Sequence, residues 1–491
     1  MVNPILLIAL PLFFAFSVPI VGFVSRRLQR WIPVLSLSLT TILAVILVPQ
    51  VWSHGPIVVT TAGFPPPLAI NLTVGPLGLF LALLIQAVGL VAAVYLAAFP
   101  TEEPRDRFSM LFLLLLLGAT GMVLTGDAFN LFVFLEITSI AAYALTGFPR
   151  TAEATEAAFK YLVIGSIGST LYLLGLILLY TQTGTLNIAD IARHLHQVDP
   201  HILYFSLALI TVAFGVEAEI FPLNGWTPDA YQGAPTPVTA VFSAVVVKAG
   251  LYALLRMFYT LFGAREFLYG LALMGALTLL VAEASALRQQ NVKRMLAYSS
   301  IGQIGLILLA FGVGTPVAVT SGLFHILNHA VFKGILFLGL GLMALQTGSE
   351  RLDDLAGMGR RMPWVALPFA LALLATLGLP PFSGFWSKFF ILYATARAHW
   401  YGLLGVVLLG SVLEAAYYLR LLQVLYLRPA ASSLQQNRLP WLSVAAITAL
   451  AGVVVILSLI PHVLFQWFRP ASAELLQRGL YITRVLATGG F

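Results

Sequence analysis

Long apolar segments recur along almost the whole chain, and they limit its possible folds more than any other feature. Of the 491 residues, 60% are hydrophobic and only 9% are charged, whereas a soluble domain carries about 25% charged residues. No soluble core could bury so much apolar surface, so lipid must be the solvent for most of the chain. The formal charge of +7 then belongs to loops at a membrane face, and no basic patch with interleaved aromatics predicts nucleic-acid binding.

A helix that crosses a bilayer needs about 20 mostly apolar residues. By this criterion the sequence predicts an all-α polytopic membrane protein, with residues 1–491 forming a single transmembrane domain of about fourteen transmembrane helices. The C-terminal tail, 461–491, is predicted either as an interfacial helix or as a frayed end. The predicted spans are 4–24, 32–50, 75–99, 108–125, 128–147, 159–180, 202–221, 237–262, 267–287, 295–313, 316–345, 363–394, 399–426 and 440–460.

Arginine is distributed unevenly between the connecting loops. Loops after odd-numbered spans hold fourteen Arg and Lys residues, Arg438 among them, whereas loops after even-numbered spans hold only Arg193, Arg265 and Arg397. The positive-inside rule then places the odd loops in the cytoplasm and both termini on the outer side. We therefore expect a multi-pass protein of the cell (plasma) inner membrane.

Lysine has the opposite distribution. A desolvated ammonium can release its proton, whereas a guanidinium effectively cannot. A charge at mid-bilayer costs about 3 kcal/mol or more, so lysines within spans predict proton transfer. Snorkelling to an interface is the alternative, above all for the lysine that begins the sixth span. We assign Lys293 to a loop and the other four to spans 6, 8, 11 and 12: Lys160, Lys248, Lys333 and Lys388.

Acids and histidines join these lysines. Glu136 and Glu414 lie in the middle of spans, and Glu217 lies near the end of the seventh. A run of three titratable residues at steps of four keeps one helix face over about 12 Å of axis, which is the spacing of a proton relay. The alternatives are a polar stripe that joins helices and a metal site, but the HExxH pattern is absent and no acid lies nearby in sequence. We predict no metal and no cofactor; the run is His325, His329 and Lys333.

Proline and glycine break two of the predicted helices, the seventh in IFPLNGWTPDAYQGAPTPV and the twelfth in LGLPPFSGFWSKFF. Non-helical backbone survives at membrane depth only inside protein or beside water. Breaks at matching places in two halves are typical of transporters built from repeats. Because the breaks are five spans apart, the pattern predicts two inverted five-helix repeats, 108–262 and 266–426.

Seven motifs stand out along the chain: LTGDAFNLFVFLEI, AFKYLVIGSIGS, TGTLNIADIA, GWTPDAYQGAPTPVTAVFSAVVVKAGLYALLR, VKRMLAYSSIGQIG, FHILNHAVFKGILFL and LPPFSGFWSKFFIL. Combined, these motifs resemble the proton-conducting membrane transporter family from about residue 75 to residue 425. This family includes the D-type subunit of Mrp-type sodium/proton antiporters, the antiporter-like subunits of complex I and subunits of membrane-bound hydrogenases. The resemblance implies fourteen helices, inverted repeats and a line of charged residues at the membrane midplane.

Six residues match charged positions of that family: Glu136, Lys248, His325, His329, Lys333 and Lys388. Two positions depart from it. Glu217 stands where the family usually has a lysine, so the usual Glu–Lys pair of the first half is missing, and Gly75 stands where many relatives have an acid.

The resemblance implies a proton-translocating subunit of a multisubunit membrane complex, with other membrane subunits as partners and protons and possibly sodium as the transported ions. The Mrp-type cation/proton antiporter is the first interpretation. The alternatives are a pumping subunit of a complex I-like or hydrogenase-linked enzyme and a degenerate structural subunit that moves no ions. In each case the chain would hold no redox centre, because it has no cysteine and no flavin or nucleotide motif.

Overall fold

The computed structural model describes residues 3–60, 64–99, 105–263, 265–430 and 439–487, so Arg438 lies outside the described residues. Thirteen helices in these ranges are long and apolar enough to cross a membrane. They are α1 (Leu6–Val24), α2 (Ile32–His54), α3 (Pro76–Ala98), α4 (Arg105–Leu124), α5 (Ala128–Thr146), α6 (Ala152–Thr183), α7a (Pro200–Glu217), α8 (Thr236–Phe262), α9 (Leu268–Leu287), α10 (Val292–Val313), α11 (Pro316–Thr347), α13 (Tyr401–Leu427) and α14 (Trp441–Leu459).

A fourteenth span is broken into two shorter helices, α12a (Pro363–Leu377) and α12b (Ser383–Arg397), and α7a likewise continues after a break as α7b (Thr227–Gly233). The prediction of an all-α polytopic fold with broken helices 7 and 12 is confirmed. The division into inverted repeats stays a prediction. Short helices also form at Arg26–Gln29, Ile188–His194 and Met358–Arg361.

Polar side chains cap several helices where the chain turns back. Thr151 accepts a hydrogen bond from the Ala154 N–H at the start of α6, and Asn291 caps α10 in the same way through the Arg294 N–H. Thr315 caps α11. Each cap satisfies a backbone donor that the first helical turn leaves free. These turns stay short, so successive helices run antiparallel.

The two breaks have their exposed backbone groups satisfied by protein. At the α7 break, the Phe221 N–H donates to Thr278 Oγ1 at 3.1 Å, and the Trp226 indole donates to the Val216 carbonyl at 3.3 Å. At the α12 break, the Ser383 N–H donates to Ser458 Oγ at 2.9 Å. Such contacts are what allow irregular backbone inside the bundle.

The loop between α2 and α3 forms a structure that the sequence did not predict. Strand β1 (Ile57–Thr60) pairs antiparallel with β2 (Asn71–Val74), with Ile57 opposite Val74. The side chain of Asn187, from the loop after α6, donates to Asn71 Oδ1 at 2.8 Å. This hydrogen bond joins the two longest loops between the predicted spans, 51–74 and 181–201, on one face of the protein.

The C-terminal tail packs onto this same face as three helices, α15 (Pro461–Trp467), α16 (Arg469–Leu476) and α17 (Arg478–Ala487). The rings of Trp52 and Trp467 stack with centroids 4.5 Å apart, and Tyr481 and Val485 are buried. The tail is therefore neither frayed nor a free interfacial helix over these residues; its last four residues lie outside the described part.

Because the helices alternate in direction, their ends define two faces. The tail face holds the C-terminal helices, the β1–β2 hairpin, the ends of α2 and α8 and the starts of α3 and α11, which the tail contacts. The opposite face holds the starts of α4, α6, α8 and α10, and we call it the arginine face because most loop arginines belong to it.

Candidate functional site

Lys248 lies at the centre of the bundle, 1% exposed. Its Nζ lies 2.6 Å from His329 Nδ1 of α11 and also donates to the Ser243 carbonyl. Ser243 belongs to Phe242–Val246, a π-helical turn within α8 just before the lysine, and such turns often occur at functional sites. The predicted eighth-helix lysine and the predicted histidine stripe thus meet in space.

The histidine stripe continues the contact towards both ends of α11. His329 Nε2 faces Ser300 Oγ at 3.4 Å, and Ser300 in turn contacts Ser243 at 2.6 Å. One turn further along, Lys333 donates to Ser299 Oγ at 2.7 Å and to the Leu296 carbonyl at 3.1 Å. The face that the sequence spacing predicted therefore points into the protein and not towards lipid.

The other histidine of the stripe belongs to a second cluster. His325 Nε2 lies 2.9 Å from Gln303 Oε1, and Gln303 Nε2 donates to Glu414 Oε1 at 3.0 Å. The other oxygen of Glu414 forms a buried ion pair with Lys388 of α12b. Three predicted residues from three helices, His325, Lys388 and Glu414, are thus linked through a glutamine that the sequence analysis did not select.

The hydrogen-bond partners of His325 determine which of its two ring nitrogens carries the proton. Because Gln303 uses its amide N–H₂ on Glu414, its oxygen must accept, so His325 carries its proton on Nε2. His325 Nδ1 is then an acceptor, and it lies 2.9 Å from Ser387 Oγ. The imidazole is therefore held between a donor and an acceptor, which is the arrangement that passes a proton across a ring.

Glu283 is a buried acid that the sequence analysis missed. It lies on α9, is fully buried, and accepts from the Tyr417 hydroxyl at 2.7 Å. Its other oxygen has no hydrogen-bond partner among the described residues. The signal was present, because Glu283 lies in the apolar stretch LTLLVAEASAL, just as Glu414 lies in LLGSVLEAAYYLR.

The acids of the first half are arranged differently. Glu217 and Glu219 are buried at the α7 break, and each has one carboxyl oxygen without a partner among the described residues. Glu219 also has a left-handed backbone, φ 59°, which is strained for a residue with a side chain. Glu136 is half-buried on α5, occurs in none of the ion pairs among the described residues, and interacts electrostatically with Glu217.

Gly250 brings these acids close to Lys248. A Cβ at Gly250 would lie 2.8 Å from the Glu217 carbonyl oxygen, so only glycine lets α8 approach the end of α7a so closely. The carboxyl group of Glu219 also interacts electrostatically with the ammonium groups of Lys248 and Lys333, although no ion pair among the described residues joins a first-half acid to either lysine.

Two lysines lie near the arginine face: Lys160 has the interfacial position that the sequence analysis gave as its alternative, and Lys293 lies outside the loop to which it was assigned. Lys160 is on the surface near the arginine face, with a side chain 43% exposed, and pairs with Glu156 at 2.7 Å and Asp229 at 2.8 Å. Lys293, assigned to a loop, is instead buried in the first turn of α10 and donates to the Ala234 carbonyl at 2.7 Å. The loop assignment was wrong because the cap at Asn291 starts the helix earlier than hydrophobicity indicates.

These features define a membrane-embedded helical protein with a buried row of titratable groups across its middle. Comparison with known proteins identifies the family. The model of the family described as "NADH:quinone oxidoreductase/Mrp antiporter, TM" matches residues 125–414, and the chain belongs to that family.

The relatives include subunits of NADH-quinone oxidoreductases and of sodium/proton antiporters. The chain is 37% identical to NADH-quinone oxidoreductase subunit N of Desulforudis audaxviator, over 87% of this chain and 86% of that protein. It is 29% identical to a Na(+)/H(+) antiporter subunit, of the D type, from Alkalihalophilus pseudofirmus, over 94% of each. A chain of the membrane-bound sulfane sulfur reductase, an archaeal respiratory membrane complex, superposes with a TM-score of 0.92 at 42% identity, over 98% of this chain and 99% of that one.

Proposed function

We propose that the chain carries protons across the membrane as one subunit of a multisubunit complex, through the row of buried groups centred on Lys248. The observation that carries the proposal is the direct contact between Lys248 and His329, with His325 one helical turn further along the same face. Buried lysines that only stabilised the fold would be paired with acids, whereas Lys248 faces a neutral base that can take its proton.

The proposed transfer runs along α11. Lys248 passes a proton to His329 Nδ1, and His329 releases the proton on its other nitrogen towards Ser300. His325 connects through Gln303 to Glu414 and its partner Lys388, where a proton arriving at the pair neutralises the carboxylate and frees the lysine. The buried acids of the first half supply further proton-binding groups next to Lys248.

Two settings fit the family. An Mrp-type antiporter would exchange the protons for a cation such as sodium, and a respiratory complex would drive them by a redox reaction in other subunits. The identity of 42% to a chain of a respiratory membrane complex, against 29% to the antiporter chain, favours the respiratory setting. In both settings the partners are other membrane subunits.

The test is proton flux in vesicles that contain the assembled complex. Lys248→Ala should abolish transport, and Lys248→Arg should not restore it, because a guanidinium does not release its proton. The amount of assembled complex is measured in the same membranes. Normal flux in Lys248→Ala would contradict the proposal.

We also propose that the arginine face is cytoplasmic and the tail face is on the outer side of the cell membrane, because of the fourteen-to-three distribution of basic residues. The chain has no cysteine, so a single cysteine at exposed Thr483 reports the side of the tail. An impermeant thiol reagent should label Thr483→Cys in intact cells and not in inside-out vesicles.

A further inference from the structure

An open cleft lies on the tail face between the end of α2 and the C-terminal helices. Its volume is about 260 Å³. The residues around it come from α2, α3, α16 and α17, among them His54, Pro76, Glu474, Gln477, Tyr481 and Arg484. The tail forms half of the lining, so the existence of the cleft depends on how the tail packs.

A buried ion pair lies at this cleft. Glu474, which lines it, has Oε1 2.6 Å from Arg256 Nη2 of α8, and the two side chains are 7% and 2% exposed. The guanidinium also donates to the Tyr252 hydroxyl at 3.0 Å and lies 4.5 Å from the ring centre of Tyr481. Removing one partner of such a pair leaves a buried charge without compensation.

Arg256 also belongs to the row that leads to Lys248. Lys248, Tyr252 and Arg256 follow one another at steps of four in a regular α-helical stretch, Val247–Arg256. Residues at this spacing share one helix face, about 6 Å apart along the axis. The polar groups therefore form a line from the cleft to the middle of the bundle.

The carboxylate of Glu474 occupies space that Gly75 leaves empty. A Cβ on Gly75 would lie 2.4 Å from Glu474 Oε2. Gly75 is the N-cap of α3 and has no side chain to accept a backbone proton, and the Leu77 N–H donates instead to Glu474 Oε2 at 2.9 Å. A carboxylate at a helix N-terminus is stabilised by these N–H groups and by the helix dipole. The tail thus provides the acid that position 75 lacks.

We propose that this cleft is the tail-face mouth of the proton pathway and that the Glu474–Arg256 pair is its gate. Glu474 exchanges protons with water in the cleft. When Glu474 takes a proton, Arg256 keeps an uncompensated charge on the face of α8 that carries Lys248, and this charge favours release of the Lys248 proton. The inference rests on the proposed function, because a gate needs a pathway behind it.

Cysteine labelling tests the mouth. Gln477→Cys places the only thiol of the chain in the cleft, and Thr483→Cys places one on α17 outside it. An impermeant, positively charged thiol reagent should label both variants from the tail face, and its charge would repel protons from the mouth. It should slow proton transport about ten-fold in Gln477→Cys and leave the rate of Thr483→Cys at its value before labelling. Full labelling of Gln477→Cys without a change in rate would overturn the proposal.

Moving the charge tests the gate. Glu474→Ala should lower transport about ten-fold or more. Adding Gly75→Asp should restore most of it, because the new carboxylate enters the vacated space and caps α3. Gly75→Asp alone should impair the protein through overcrowding. A double variant that assembles normally but transports no better than Glu474→Ala would contradict the gate.

Glu474→Gln covers the case in which Glu474→Ala does not assemble, because the amide keeps the size and the bond from Leu77. It should assemble at the level of the parent, transport more slowly and show a changed pH profile; an unchanged rate and profile would refute the gate. Lys248→Ala is measured alongside. If Lys248→Ala still transports protons, the proposed function is wrong. If Lys248→Ala does not transport, but labelled Gln477→Cys and Glu474→Gln transport normally, only the proposal of the mouth and gate is wrong.

Discussion

The two halves of the molecule hold their buried charges in different ways. In α9–α13, Glu414 pairs with Lys388, whereas Glu283 accepts from Tyr417 and leaves its other oxygen without a partner among the described residues. In α4–α8, Glu217 and Glu219 are buried without a cation at ion-pair distance among the described residues, and each leaves one oxygen unpaired. The contrast therefore lies between Glu414, whose charge a buried lysine compensates, and Glu217 and Glu219, whose charged forms are costly to bury without a cation.

Lys248 joins the halves. It lies on α8, yet its closest side-chain partner, His329, lies on α11. Position 217 holds an acid where the family resemblance predicts a lysine, and Lys248, at the centre of the bundle, is oriented towards the second half. Four predictions separate the roles of paired and unpaired charges.

The largest effect on transport and stability is expected at the buried ion pair of Lys388 and Glu414. Lys388→Ala should abolish transport and lower the free energy of unfolding by about 3–5 kcal/mol, because it leaves Glu414 buried and uncompensated. The control replaces both partners: Lys388→Met with Glu414→Leu should recover stability but not transport. If the double replacement restored transport, the pair would be structural only. Thermal unfolding and proton flux are measured on the same preparations.

Glu136→Gln should have the next largest effect. The amide keeps the size but cannot carry a proton, so the protein should fold and lose most transport, about a hundredfold if the acid transfers the proton itself. Glu136→Asp should retain part of the rate. Exposed Glu153, at the start of α6, gives the matched control, since Glu153→Gln makes the same change outside the bundle. Equal rates for the two Gln variants would show that Glu136 is not in the pathway.

Much of this arrangement could be predicted from the sequence, because it depends on patterns within single helices. Apolar length predicted the spans, since a bilayer imposes one length on each crossing. Proline and glycine predicted the breaks in helices 7 and 12. The spacing of His325, His329 and Lys333 predicted one shared face, and that face is buried.

What the sequence could not provide were contacts between distant segments. Gln303 joins His325 to Glu414 across 22 and 111 residues of chain, and an uncharged glutamine in a span gives no signal of that role. Glu474 reaches Arg256 across 218 residues, and a tail with no long apolar run looked equally like a frayed end. Beside Gly75, the acid comes from Glu474 of the tail, a contact that no local sequence pattern indicates.

Glu217→Lys tests whether the missing lysine explains the contrast between the halves. Glu217 feels the charges of Glu136 and Glu219, so the acids should share protons as a coupled group or, alternatively, hold a sodium ion between their oxygens. A lysine there would pair with an acid and should change the transport rate or its pH dependence several-fold. If the acids are coupled, adding Glu136→Gln should alter the size of that change. If Glu217→Lys behaves like the parent at every pH, alone and with Glu136→Gln, the acids are independent.

The smallest effect is expected at Lys160, which the sequence analysis placed in the proton pathway. Its ammonium pairs with Glu156 and Asp229 beside a small surface pocket, and Arg294 shares Asp229 at 2.5 Å. A charge that water already solvates gains little from these pairs, and salt screens them. Because Arg294 stays to hold Asp229, Lys160→Ala should leave transport within about two-fold of the parent.

Salt distinguishes the two possible roles of Lys160. If its charge only attracts protons or cations to the arginine face, the small loss in Lys160→Ala should disappear at high ionic strength, because the Debye length falls to about 3 Å at 1 M. If Lys160 itself transfers protons, the loss should be large and independent of salt. Transport as low as in Lys388→Ala at all salt concentrations would place Lys160 in the relay. The first half would then contribute Lys160 to the relay as the second half contributes Lys388.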